Sequence, residues 1–127
     1  MIKLLLIGTG GFIGSILRYL ISGSVQAASQ SIAFPYGTLA VNVIGCFLIG
    51  FLSELAESRS LFSPETRVFL IVGILGGFTT FSAFGNETLN LLRDGERALA
   101  MMNVSAQILF GLGAVWLGYI LAYQIWR

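Results

Sequence analysis

Four long apolar stretches, separated by short polar ones, divide the chain from end to end. A helix that crosses a bilayer needs about 20 predominantly apolar residues, and each stretch is of that order. The first runs from about Leu4 to Ile21 and gives way to "SGSVQAASQS"; the second runs from about Gly37 to Leu55 and stops at "ESRS". The third covers about Thr66 to Leu92, and the fourth about Ala98 to Ile125, between "RDGER" and the terminal Arg127. Pro35 and Pro64 each stand just before a span, where a missing backbone N–H does no harm. The pattern predicts an all-α membrane protein with four transmembrane helices in a single domain, residues 1–127. The opening "MIKLLLIGTGGFIG" has the positive charge and apolar run of a signal peptide. No convincing small-residue cleavage site follows it before Arg18, so it reads as a retained first helix.

The third stretch breaks its own pattern. "GILGGFTTFSAFGNE" (73–87) places glycines, hydroxyl residues and phenylalanines where a bilayer would want a regular helix. Adjacent glycines, aromatics and β-branched threonines all weaken helicity, and the stretch is longer than a membrane requires. Unwound backbone at that depth is tolerated only where protein buries it or it lines a cavity. Such a break exposes carbonyl oxygens that suit cations and N–H groups that attract anions; a simple glycine kink is the plainer alternative.

Composition strengthens the membrane reading. Apolar residues make up 56% of the 127 and charged ones only 10%, against roughly 25% charged in a soluble domain. No acid precedes Glu54, and no histidine is present, so the commonest metal ligand and general base is missing. The single cysteine, Cys46, excludes an intrachain disulfide and reads as a small buried hydrophobe. Sixteen glycines, among them Gly10 with Gly14 and Gly73 with Gly77 at four-residue spacing, predict helices whose backbones approach closely. Four thin helices enclose a polar path poorly, which predicts an oligomer. With four spans, Lys3, Arg59, Arg67 and Arg127 fall on one side, and Arg18, Arg93 and Arg97 on the other. Orientation follows the Lys/Arg excess on the cytoplasmic side. So small an excess leaves two outcomes, insertion both ways or a decision by weaker signals.

A few polar residues inside the spans carry candidate chemistry. Arg18 snorkels to the interface or contacts another helix. Asn42, in "GTLAVNVIG", either bonds a neighbouring helix or offers two N–H donors to an anion. Phe81 and Phe84 are three apart and share a face on a resumed helix. Aromatic rings have positive edges, so edges turned inward would attract an anion weakly. Glu87, three residues further, is an embedded acid and a functional suspect. The N-terminal "KLLLIGTGGFIG" imitates a dinucleotide fingerprint, but Ile13 stands where the third glycine belongs and no acid follows at ribose distance. An enzyme is therefore not expected, and neither is nucleic acid as a partner. A proton-coupled cation exporter would want a buried acid early in the chain, and a scaffold would need neither Asn42 nor a broken span.

These residues together resemble the Fluc (CrcB) family of fluoride channels. The likeness rests on Gly14 with "LRY" (17–19), "GTLAVNVIG" (37–45), "GGFTTFSAF" (76–84) and "GLGAVWLGY" (111–119). Where the family often reads "TTFSTFS", this chain has Ala83 and Gly85; where several relatives carry serine and threonine along span four, this chain reads "SAQILFGLGAV", with Ser105 and Gln107 as the polar residues of that stretch. The resemblance implies an antiparallel, dual-topology homodimer in the bilayer of the bacterial cytoplasmic (inner) membrane, passively exporting fluoride and lowering its toxicity. It implies a structural Na+ at the dimer centre, held by the backbone carbonyls of Gly76 and Thr79. It places Asn42, Phe81, Phe84 and Ser82 along the fluoride pore, with Thr38, Arg18 and Glu87 as accompanying polar groups.

Overall fold

The computed structural model describes residues 1–58 and 60–126; Arg59 and Arg127, two of the four positive residues assigned to one side, lie outside them. Among the described residues, four helical stretches are long and apolar enough to cross a membrane: Ile2–Ser29, Tyr36–Ser58, Pro64–Arg93 and Arg97–Ile125. The chain is a multi-pass membrane protein.

Helix α1 (Ile2–Ser29) continues well past Ile21, where the apolar pattern ends. A serine-rich segment can stay helical when its hydroxyls bond back to carbonyls of the preceding turn. Ser24 Oγ donates to the Leu20 carbonyl at 2.7 Å and Ser29 Oγ to that of Gln26 at 2.8 Å. The helix stops where Gln30 turns left-handed, with φ 54°. One side chain then shapes the corner. Gln26 Nε2 donates to the carbonyls of Ser31 (2.7 Å) and Phe34 (3.1 Å), while Gln26 Oε1 accepts from the Gly37 N–H at 3.0 Å. Helix α2 (Tyr36–Ser58) begins directly after Pro35.

The third span is assembled from pieces. Ser63 caps α3 (Pro64–Arg67) by accepting from the Thr66 N–H at 3.1 Å. A π-helical stretch, Val68–Leu75, leads into the single turn α4 (Gly76–Phe78). Thr79 and Thr80 then take extended conformations, with ψ of 157° and 110°. Thr80 Oγ1 accepts from the Ala83 N–H at 3.1 Å and so caps the start of α5 (Phe81–Arg93). A turn through Gly95, at φ 80°, joins α5 to α6 (Arg97–Ile125).

Two glycine seams hold the bundle. Along the first, α1 lies against the π-helical stretch and α4. A methyl group on Gly10 would come 2.9 Å from Gly73 Cα, and one on Gly77 would come 2.6 Å from the Gly11 carbonyl. A methyl group on Gly14 would overlap the Ile74 carbonyl. The four glycines expected from their spacing thus mate with one another's helices, which is how helices associate where lipid removes the hydrophobic drive. Along the second seam, α2 meets α6, where Gly50 faces the Val115 carbonyl and Gly118 the Phe47 carbonyl. Val41 and Asn103 are the largest fully buried side chains among the described residues. Gly45 on α2 leaves room for the Thr79 methyl group, which seats the extended pair against α2.

Candidate functional site

The extended pair ends a helix whose last carbonyls need partners. In a continuous helix the Thr80 N–H would bond the Gly76 carbonyl. Here it donates instead to Asn42 Oδ1 at 2.8 Å, while Asn42 Nδ2 donates back to the Thr80 carbonyl at 3.0 Å. One amide head from α2 therefore satisfies both backbone groups of the residue at the break. The same Nδ2 donates to Gln107 Oε1 on α6 at 3.1 Å. Three elements meet at Asn42.

Around it lies a groove of about 440 Å³ whose lining includes Asn42, Gly76, Thr79, Phe81, Phe84 and Gln107. Five residues singled out in the sequence are thus brought together. Phe81 and Phe84 share a face and meet edge to face, with ring centroids 5.4 Å apart and planes at 71°, the arrangement that the ring quadrupole favours. Phe81 is 82% exposed in the single chain. Ser82 is outside this lining; its hydroxyl lies 3.4 Å from Thr80 Oγ1.

Arg18 makes a helix contact, its Nη1 donating to the Thr79 carbonyl at 3.4 Å. Thr38 and Glu87 form a separate pair, with Thr38 Oγ1 donating to Glu87 Oε1 at 2.6 Å. Both line a second cavity of about 530 Å³, near the Gln26 corner, together with Asp94 and Glu96. Of the sequence-predicted polar residues, Asn42 lines the groove and Thr38 and Glu87 line the second cavity, while Ser82 and Arg18 line neither.

Gln107 and Asn103 complete the polar interior, and the sequence reading gives the first no role and passes over the second. Asn103 is fully buried; its Nδ2 donates to Thr88 Oγ1 at 3.0 Å, and the Thr88 hydroxyl donates to the Phe84 carbonyl at 2.8 Å. The signal was available, since two carboxamides four apart in an apolar span lie on one helical face. Buried polar atoms nearly always have partners. Among the described residues, Gln107 Nε2, Asn103 Oδ1 and Glu87 Oε2 are buried without one.

Among the described residues no group of three His, Cys, Asp or Glu could hold a metal. The Gly76 carbonyl has lost its helical donor to Asn42. The Thr79 carbonyl keeps one lone pair beyond the contact with Arg18. Neutral carbonyl oxygens at a helix C-terminal end fit a hard cation such as Na+.

Comparison with known proteins accounts for nearly the whole chain. The family model described as CrcB-like protein, Camphor Resistance (CrcB), matches residues 5–119. The fluoride-specific ion channel FluC of Chlorobium chlorochromatii is 50% identical over 119 residues, covering 94% of this chain and 91% of that protein. The fluoride-specific ion channel FluC 1 of Methanosarcina acetivorans is 46% identical over 125 residues, covering 98% and 94%. The FluC of Geobacter sulfurreducens is 48% identical over 125 residues, covering 98% and 100%. Matched by the family model from the first apolar span into the fourth, the chain belongs to the CrcB-like family.

Proposed function

We propose that this protein is a passive, fluoride-selective channel and not an enzyme. The observation that carries the reading is the groove at the break, where neutral amides and two phenylalanine rings surround extended backbone at membrane depth. Fluoride is small and strongly hydrated, and a path for it must replace water with hydrogen-bond donors. Carboxamide N–H groups and positive ring edges do so without a fixed positive charge that would trap the ion. The names of the relatives support the same substrate.

Dual topology, antiparallel pairing and the sodium belong to the same proposal. The near-equal distribution of Lys and Arg supports insertion both ways, and the exposed Phe81 supports a partner across the groove. The carbonyls of Gly76 and Thr79, from each of two chains, would hold Na+ at the pair's centre. Bound there, the ion would fix two broken spans against each other. In the cytoplasmic membrane such a channel would let fluoride leave. Hydrogen fluoride enters as a neutral molecule and ionises at neutral pH, so the trapped anion flows outward down its own gradient.

Purified protein in liposomes should pass fluoride but not chloride, and its flux should not require a proton gradient. Phe81→Ile should keep the fold, because the ring is mostly exposed and similar apolar bulk remains, yet flux should fall about tenfold with the ring edge lost. Equal chloride flux in the parent would sink the channel reading, and parental flux in the variant would move the pore elsewhere.

Orientation is tested by single cysteines at Ile32 and Leu61, in a Cys46→Ala background. Ile32 is fully exposed and Leu61 53% exposed. In cells, a membrane-impermeant thiol reagent applied from outside should label about half of the copies at either position. Complete labelling at one and none at the other would rule out dual topology.

A further inference from the structure

Arg18 brings a positive charge to the break, and a charge inside a span is costly unless it serves a purpose. The residue is half-buried on α1, and among the described residues no carboxylate pairs with it. Its partner is the Thr79 carbonyl, 3.4 Å from Nη1. That oxygen is short of donors. In a continuous helix it would accept from the Ala83 N–H, but the Ala83 N–H donates to Thr80 Oγ1 at 3.1 Å. The Gly76 carbonyl is stripped in the same way, because Asn42 takes the Thr80 N–H. Arg18 therefore returns to Thr79 the donor that the cap on α5 removes.

We propose that Arg18 and the sodium ion compete for the Thr79 carbonyl, so that Arg18 covers this oxygen in the unpaired chain and sets how tightly a pair holds sodium. The proposal rests on the sodium site proposed above, with the Gly76 and Thr79 carbonyls as ligands. A carbonyl oxygen has two lone pairs, so the contact with Arg18 does not close the site. Two positive charges on one oxygen nevertheless repel, and at membrane depth neither water nor salt screens them well. In an antiparallel pair the ion would meet two such guanidinium groups, one from each chain. The same contact helps the single chain, because a buried carbonyl without a donor costs stability. Arg18 thus protects the sodium-free protein and weakens its hold on sodium. A plain packing contact would not produce these opposite effects.

Thermal unfolding of the full chain in detergent separates the two effects. It would be measured across sodium chloride concentrations, with choline chloride keeping the ionic strength constant. The parent should gain stability as sodium rises. Arg18→Met should melt below the parent in choline alone, yet reach half of its sodium-dependent gain at about a tenfold lower sodium concentration. Arg18→Lys keeps the charge and should keep the parental midpoint. Should Arg18→Met fail to fold, the parent itself decides. With ¹⁵N in its arginine side chains and in nanodiscs, its Arg18 resonance, assigned by its loss in Arg18→Lys, should shift as sodium replaces choline. An unshifted resonance, or a sodium midpoint in Arg18→Met at or above the parental one, overturns the competition while leaving the sodium site in place. Parental stability indifferent to sodium would instead reject the sodium site, and the competition with it.

Discussion

Gly14→Val should abolish the folded protein. Its side chain would have to occupy the position of the Ile74 carbonyl, and the Phe78 N–H lies only 2.9 Å from where Cβ would stand. Both obstacles are backbone, so no rotamer change relieves them. Overpacking a core that can adjust its side chains costs about 1–3 kcal/mol, and here two helices must separate instead. Separation undoes the seam along Gly10, Gly73 and Gly77 and carries the break away from α1. The check is size-exclusion chromatography after detergent extraction, with Gly113→Ala as the control. Nothing lies within 4 Å of a methyl group on Gly113, and alanine there should gain about 0.5–1 kcal/mol of helix stability. A monodisperse Gly14→Val protein with parental thermal stability would show that the seam does not hold the bundle.

Asn42→Ala should damage both stability and flux. The substitution strips partners from the Thr80 N–H, the Thr80 carbonyl and Gln107 Oε1 together. At membrane depth no bulk water replaces them, and each orphaned polar group costs about 1–3 kcal/mol. Two backbone groups alone therefore put the loss at about 2–6 kcal/mol. The extended pair would be free to rewind, returning the Thr80 N–H to the Gly76 carbonyl and taking that oxygen from any cation. The groove would lose its ordered carboxamide, so fluoride efflux should fall roughly tenfold to over a hundredfold, the equivalent of about 1.5–3 kcal/mol for a hydrogen bond to a charged group. Thermal unfolding in detergent and efflux from liposomes would be measured on the same preparation. A variant as stable and as conductive as the parent would leave the break without its supposed support.

Apolar runs made the four helices legible, because bilayer thickness sets a length that composition alone can meet. The glycine seam along Gly10, Gly14, Gly73 and Gly77 was legible for a similar reason: four-residue spacing puts small residues on one face whatever they touch. "GGFTTFS" marked the region in which Thr79 and Thr80 are extended, since local propensity runs against helix there. Partnerships were harder to read. Asn42 offered two possibilities in the sequence, and only the position of Thr80 across a 38-residue separation shows where its amide is engaged. Thr38 with Glu87 and Asn103 with Thr88 are likewise side-chain pairs between spans, which no periodicity encodes. The end of α1 misled for a different reason. Hydropathy reports where hydrocarbon ends, whereas a helix stops where its hydrogen bonds stop, and eight residues separate Ile21 from Ser29.

Those eight residues bear on how the protein sits in bilayers of different thickness. At 28 residues, α1 is ~42 Å long, well beyond a hydrocarbon core of about 30 Å. A free helix of that length would tilt to suit each membrane. Gln26, gripping Ser31, Phe34 and Gly37, ties the last turns of α1 to the first residues of α2, so neither helix can lean without the other. The glycine seam then couples α1 to the broken span. A thinner bilayer would therefore be met by rotation of the whole bundle, and the distances around Asn42 would stay the same.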